Sequence, residues 1–477
     1  HPARPARPNP RAPLPAALTP LGLFTVLLGA ALPMVDFFIV NVAFPSIQRD
    51  LDASPALLEM VVASYAVAYA ALLVLGGRLG DTYGRRRLFL WGVAGFGVTS
   101  LACGLAPDAW TLILARLAQG AASAMMLPQV LATIHATTEG ARRHRAIGLY
   151  GSVGGISMVL GQVLGGMLVA ADIAGSGWRA IFLVNVPVVL LGLLLGARSV
   201  PDSRSDRPAR GDLAGTVLLT AALAALLLPL TEGRAAGWPL WAVALLVAAP
   251  FLGWAFFATE ARSERSGGSP LLPPSLLREP GVRRGVLAGL PMFLGFSAFM
   301  FEIALVLQQG LRFGPMQAGL VLVPLGLAQF TASFLASRVT ERFGPGRVLV
   351  LSAAVQGTGL ALLALAALAW WPGLSWTGFA PGLVLCGIGQ GFQLSTYFRL
   401  VLSSVPASHA GAGSGLAGTT QQSCLALGVA TLGSLFLALI PSVGIRDALV
   451  IALGVQTAGL VGLAAVGLRV QGARDTR

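Results

Sequence analysis

No lysine occurs anywhere in the 477 residues; all 32 basic side chains are arginine. That absence excludes chemistry that needs an ammonium group: the P-loop GxxxxGK[ST], Schiff-base catalysis and the kinase strand lysine. ATP is therefore not expected as a direct energy source, and no cofactor is implied. Cysteine is nearly as scarce. Cys103, Cys386 and Cys424 stand alone in apolar runs, without CxxC spacing for zinc or a disulfide framework. The four histidines, His1, His135, His144 and His409, never pair at metal-ligand spacing, so no metal is expected. Charge itself is sparse, at 11% of residues against about 25% in an ordinary soluble domain, while 55% are hydrophobic. A water-soluble fold is excluded.

What is present is a series of apolar runs. A spanning helix needs about 20 mostly apolar residues to cross roughly 30 Å of hydrocarbon. Such runs fall near 20–44, 56–77, 88–106, 110–134, 146–170, 180–199, 213–231, 238–258, 285–310, 316–337, 347–369, 375–401, 411–440 and 446–468. The sequence reads as an all-α polytopic membrane protein with fourteen transmembrane helices. Residues 1–19, basic and Pro-rich without a signal-peptide core, are expected to form a disordered cytoplasmic tail, and 469–477 a second one.

An even number of spans leaves both termini on one face. Alternate loops give that face 26 of the 32 arginines and the other face 5, with Arg116 inside a span. The arginine-rich face is expected to be cytoplasmic, in the inner membrane of a bacterium. Topology thus accounts for the net charge of +13, and no nucleic-acid partner is implied. Trp110, Trp178, Trp238, Trp241, Trp370, Trp371 and Trp376 fall at outer helix ends, and Trp91 and Trp254 near inner ends, as interfacial belts.

An internal repeat appears at an offset of 260 residues, where GRLGDTYGRRR at 77–87 aligns without gaps to SRVTERFGPGR at 337–347. Arg78 matches Arg338, Asp81 matches Glu341, Gly84 matches Gly344 and Arg87 matches Arg347. Two six-helix halves of parallel topology follow, an N-terminal domain over 20–199 and a C-terminal domain over 285–468. Residues 200–284 then form a linker carrying two extra spans.

The segment Gly77 to Arg87 resembles the loop between helices two and three of the major facilitator superfamily. PMVDFFIVNVAFPSI at 33–47, LARLAQG at 114–120, GQVLGG at 161–166, WRAIFLVNVP at 178–187, Asp212 with Gly215, and Gly237-Trp238 extend the resemblance to its fourteen-span drug:proton antiporter branch. The resemblance implies alternating access between two domains and no enzymatic activity. It implies a conformational latch of Gly77, Asp81, Gly84, Arg85, Arg86 and Arg87. In it, Gly77 permits close helix approach, Gly84 a tight turn, and Asp81 binds a cation or helix N-terminus across the domain interface. It also implies an antiporter motif at Gly161, Gln162, Gly165 and Gly166, with Gln162 replacing the family's proline.

Asp36 and Glu302 are the acids placed well inside spans. A mid-membrane charge costs about 2.5–3.5 kcal/mol on insertion scales, so such residues face partners or cavities. With Arg116 they are the candidates for proton coupling. Asn41, Gln119, Phe299, Glu302 and Gln309 are the candidates for substrate binding. Glu302 shares a helical face with Gly295, Phe299, Val306 and Gln309, a lining expected to select cationic amphiphiles. A proton crossing about 100 mV supplies about 2.3 kcal/mol. The function expected is proton-coupled export of amphipathic drugs, antibiotics or secondary metabolites by a monomer in the lipid bilayer. The alternatives are a dedicated exporter of a single lipid or metabolite and, more remotely, a non-transporting sensor.

Overall fold

A computed structural model describes residues 18–53, 55–204, 212–233, 237–268, 270–405 and 410–475. Residues 1–17 of the expected tail lie outside them, as does the side chain of Asn41. The described chain is almost wholly helical. The first half runs α1 (Pro20–Asp50), α2 (Pro55–Tyr83), α3 (Arg85–Gly104), α4 (Ala109–Thr137), α5 (Gly140–Ala171), a short α6 (Ala180–Leu183) and α7 (Asn185–Ser199). Next come α8 (Leu213–Glu232), α9 (Leu240–Arg265) and the single turn α10 (Pro274–Arg278). The second half runs α11 (Pro280–Leu305), α12 (Pro315–Val321), α13 (Val323–Phe343), α14 (Pro345–Trp370), α15 (Trp376–Ser403), α16 (Ala410–Gly428) and α17 (Ser434–Asp475).

Eleven stretches among the described residues are long and apolar enough to cross a membrane. The last, Gly413–Gly472, is two arms broken at Gly444, whose φ of 80° ends one helix and starts the next. With α8, apolar over Ala214–Leu230, and the 28-residue α15, the described chain amounts to fourteen long rods. α11 begins at Pro280, five residues before the expected domain start, and α17 carries the helix to Asp475 through most of the expected C-terminal tail.

Local sequence places the helix ends. Thr19, assigned above to the tail, caps α1 by accepting the Gly22 N–H at 3.0 Å, with Pro20 in the first turn. Asp108 caps α4 and Asp212 caps α8 in the same way. Gly84 and Gly344, the repeat-related glycines, both have positive φ, 104° and 81°, and each stands directly before a helix. A side chain would strain that turn, so both loops reverse direction on the one residue type without a Cβ.

Within the first half α2 packs on α4, α3 on α4 and α7, and α1 on α5. In the second half α14 packs on α15 and α17, and α13 on α15. The halves meet along α5 and α13 on one side and along α2 and α16 on the other, while α8 pairs with α9 and leans on α2. Most tryptophans project outward, from Trp91 (66% exposed) to Trp254 (73%). Trp178 departs from the expected belt. It is buried, and its indole N–H donates to Asp50 at 2.9 Å while Arg179 covers its ring, pinning the entry to α6 against the end of α1.

Candidate functional site

Adjacent residues of a helix point about 100° apart. At the centre of α1 this sends Asp36 back into the first-half bundle and Phe37 into a cavity between the halves. Asp36 is fully buried and forms an ion pair with Arg116 of α4. Its carboxylate also accepts from Gln119 Nε2 at 3.1 Å and from Asn185 Nδ2 at 3.0 Å. Gln119 accepts from Arg116 at 2.7 Å and donates to Ser100 at 2.8 Å, and Arg116 Nε donates to the Val61 carbonyl of α2 at 3.3 Å. Five helices thus converge on one charge pair, whose donors and acceptors are nearly all used. Gln119, expected to touch substrate, instead orients this pair.

The cavity, counted out to its open mouth, holds about 880 Å³ of empty space. The first half contributes Phe37, Tyr65, Tyr69 and Tyr150, and the second half contributes Phe293, Phe296 and Phe398. Phe296 stands 260 residues from Asp36, so the repeat places an aromatic ring where the first half has its acid. Polar groups are amides: Gln329, Gln390, Gln421 and Gln422. Both amide atoms of Gln390 and the Oε1 of Gln329 are buried with no hydrogen-bond partner among the described residues. A buried amide without a partner costs about 1–3 kcal/mol, so these atoms remain available for hydrogen bonds. No charged side chain lines the cavity among the described residues.

Tyr65 belongs to both sites. Tyr65 is among the cavity's lining residues, and the Arg116 guanidinium carbon lies 4.2 Å from its ring centroid. Its hydroxyl pairs with Ser123 at 3.1 Å and donates to the Pro33 carbonyl at 3.4 Å, one turn before Asp36.

Three expected substrate residues lie elsewhere. Glu302 and Phe299 are buried in the second-half core, and Glu302 accepts from Gln456 Nε2 of α17 at 2.7 Å. Gln309 is exposed beyond α11, in a π-helical turn. Helical periodicity groups Glu302 and Phe299 on one face, but that face meets α17 and its neighbours rather than the cavity.

The loop at 77–87 is tied chiefly to its own half. Asp81 pairs with Arg85 at 2.9 Å, both buried. Arg86 donates to the Ala197 carbonyl, and Arg87 is exposed. Close helix approach is seen beside Gly77: a Cβ at Gly76 would lie 2.0 Å from the Ala124 carbonyl, and one at Gly80 1.8 Å from Gln129. Contacts between halves flank the loop. The His144 ring meets Glu341 at 2.8 Å, Ser337 donates to the His144 carbonyl at 2.7 Å, and Thr419 donates to the Ala70 carbonyl at 3.4 Å. On α5, Gly161 and Gly165 seat the helix against Phe38 and Ile39 of α1, while Gln162 and Gly166 face Gly319 and Met316 of the second half.

The family model of the Major Facilitator Superfamily matches residues 26–429. The chain belongs to this superfamily of membrane transporters. It is 35% identical over 423 residues to a probable actinorhodin transporter of Streptomyces coelicolor, covering 87% of this chain and 72% of that one. It is 38% identical over 414 residues to the cephamycin export protein of Amycolatopsis lactamdurans, covering 84% and 82%, and 36% identical over 418 residues to the puromycin resistance protein of Streptomyces alboniger, covering 87% and 81%. Among solved structures it resembles a human organic anion transporter (TM-score 0.67, 16% identity, 93% and 100% covered). A proton:xylose symporter gives a TM-score of 0.64 at 14% identity, over 92% and 94%. These two likenesses bear on the fold.

Proposed function

We propose that the chain is a proton-coupled exporter of amphipathic, ring-bearing antibiotics or related metabolites. It works as a monomer in a bacterial inner membrane, with both termini cytoplasmic. The observation that carries this reading is the place of Tyr65, which touches the Arg116 of the buried Asp36–Arg116 pair and also belongs to the lining of an aromatic, amide-bearing cavity.

In such a cycle Asp36 is the proton carrier. Ionised, it is held by Arg116, Gln119 and Asn185. Protonation removes the charge, weakens its hold on Arg116 and frees the guanidinium to press on Tyr65. A guest in the cavity pushes on the same ring, so proton and guest bias one element. The contacts around His144, Glu341 and Thr419 serve as the cytoplasmic closure, held in register by the Asp81–Arg85 pair. Aromatic faces and neutral amides suit flat polycyclic guests, and a cationic guest would rely on the rings. The antibiotics in the relatives' printed names, actinorhodin, puromycin and cephamycin, support an antibiotic-sized cargo.

The test is transport in inverted vesicles under an imposed proton gradient, across a panel of chemically unrelated antibiotics. Gradient-dependent uptake of several would support the reading. Uptake of one compound alone would favour a dedicated exporter, and none would defeat the proposal.

A further inference from the structure

The two helices between the halves carry buried carboxyl groups that the transport site does not use. Glu260, near the end of α9, is completely buried. Its Oε2 accepts the Leu272 N–H at 2.6 Å, in the stretch that leads to the second half. Its Oε1 faces Asp212, the cap residue of α8. The two groups meet over Gly215: a Cβ there would lie 2.2 Å from Glu260 Oε1 and 2.8 Å from Asp212 Oδ2.

Neither of those two oxygens has a donor among the described residues. Two carboxylate oxygens that both close on one point over Gly215, each shielded from water and without a donor, repel unless a proton lies between them. Charge balance points the same way. Among the described residues, the cation that acts on both carboxyl groups is Arg78 of α2, and Asp81 beside it pairs with Arg85. Among the described residues Arg78 therefore offsets one negative charge and leaves a second for a proton to neutralise. Glu264, further along α9, lies outside the cluster and accepts from Ser275.

We propose that Asp212 and Glu260 share one proton, making a proton-binding site on the two added helices that fastens the inter-half linker to the 77–87 loop. The fastening is concrete: Glu260 holds the Leu272 N–H, and Arg78 Nε donates to the Leu271 carbonyl at 2.7 Å. The two ends of one peptide group in the linker are thus gripped by the carboxyl pair and by the loop. Loss of the proton puts a second negative charge into the cluster and loosens the linker. The site is independent of Asp36, which lies in the first-half bundle on other partners.

The test uses the full chain in lipid nanodiscs. Infrared difference spectra at neutral pH should show a protonated carboxyl stretch in wild type that is lost when Asp212→Asn and Glu260→Gln are combined. Any contribution from Asp36 or Glu302 stays in both samples and cancels. Amide hydrogen exchange across residues 270–275 supplies the second reading. Glu260→Gln retains an acceptor for Leu272 and a donor for Asp212, and should leave exchange near wild type. Glu260→Ala and Gly215→Ala should speed it about tenfold, as expected for the loss of one strong hydrogen bond. An unchanged carboxyl band in the double variant, or a Gln variant that exchanges as fast as the Ala variant, would overturn the shared proton.

Discussion

Tyr65 stands between Arg116 and the central cavity, with the guanidinium carbon 4.2 Å from its ring centroid and its hydroxyl tied to Ser123 at 3.1 Å. In the proposed cycle this ring is the element through which the charge pair and the cavity act on each other. Tyr65→Phe keeps the ring and loses the tie, whereas Tyr65→Ala removes the wall. Cation–π contacts in dry sites are worth up to about 2 kcal/mol. The Phe variant should keep proton-driven efflux within about threefold of wild type. The Ala variant should retain measurable substrate binding yet lose most of the gradient dependence. Equal loss of binding and gradient dependence would make Tyr65 an ordinary cavity residue.

Asp36→Asn keeps the shape of the acid and acceptance from Arg116 but cannot carry a proton. Gradient-driven efflux should fall to background at normal protein level. Counterflow driven by substrate alone should persist. Arg116→Ala is more damaging, because it strands a buried carboxylate at about 3–5 kcal/mol. Its signature should be lower yield and a lower melting temperature.

Gln390 offers two buried amide atoms without partners among the described residues. Gln390→Leu removes them without opening a hole. Guests that hydrogen-bond in the cavity should lose about 1–3 kcal/mol of affinity, roughly tenfold to a hundredfold in KM, and apolar guests little. A uniform change across the antibiotic panel would show that the amide faces no guest.

Glu302→Gln should leave the ratio of cationic to neutral export unchanged within about twofold, since Glu302 meets Gln456 and not the cavity. Competition assays with matched cationic and neutral dyes report that ratio directly. A selective fall for cations would require Glu302 to reach the guest in another state of the cycle.

At the end of α1, the Trp178 N–H and Arg179 lower the Asp50 pKa below its ordinary 3.8. The depressed folded value means the contact contributes above the unfolded pKa and fades as pH falls through the folded one. Fluorescence of Trp178 should therefore change below about pH 4, and Asp50→Asn should abolish that change. No loss of stability is expected between about pH 5 and 8 from this group.

Several features were legible in the residues alone. Asp36 and Arg116 stand out because charge in an apolar run demands a partner. The repeat loop is readable because Gly84 and Gly344 occupy matching turns that tolerate little else. Other features depend on which surfaces meet. Periodicity places Glu302 and Phe299 on one face without naming the helix that covers it. Glu260, beside Arg262 and Glu264, reads as an ordinary polar helix end until α8 and the linker close over it. Phe37, Tyr65 and Gln390 carry no signature that separates a cavity wall from core packing.

The polarity of α15 bears on how the chain enters the bilayer. This helix brings Gln390 and Phe398 to the cavity, and it is absent from the stretches apolar enough to cross a membrane unaided. The Gln390 amide that faces the cavity is subtracted from its affinity for lipid. Its neighbours α13 and α14 lack this handicap and pack along it. Insertion of α15 thus leans on helices made before it, and a nascent chain that loses α14 should leave α15 outside the membrane, so that two crossings vanish together and the helices that follow keep their orientation.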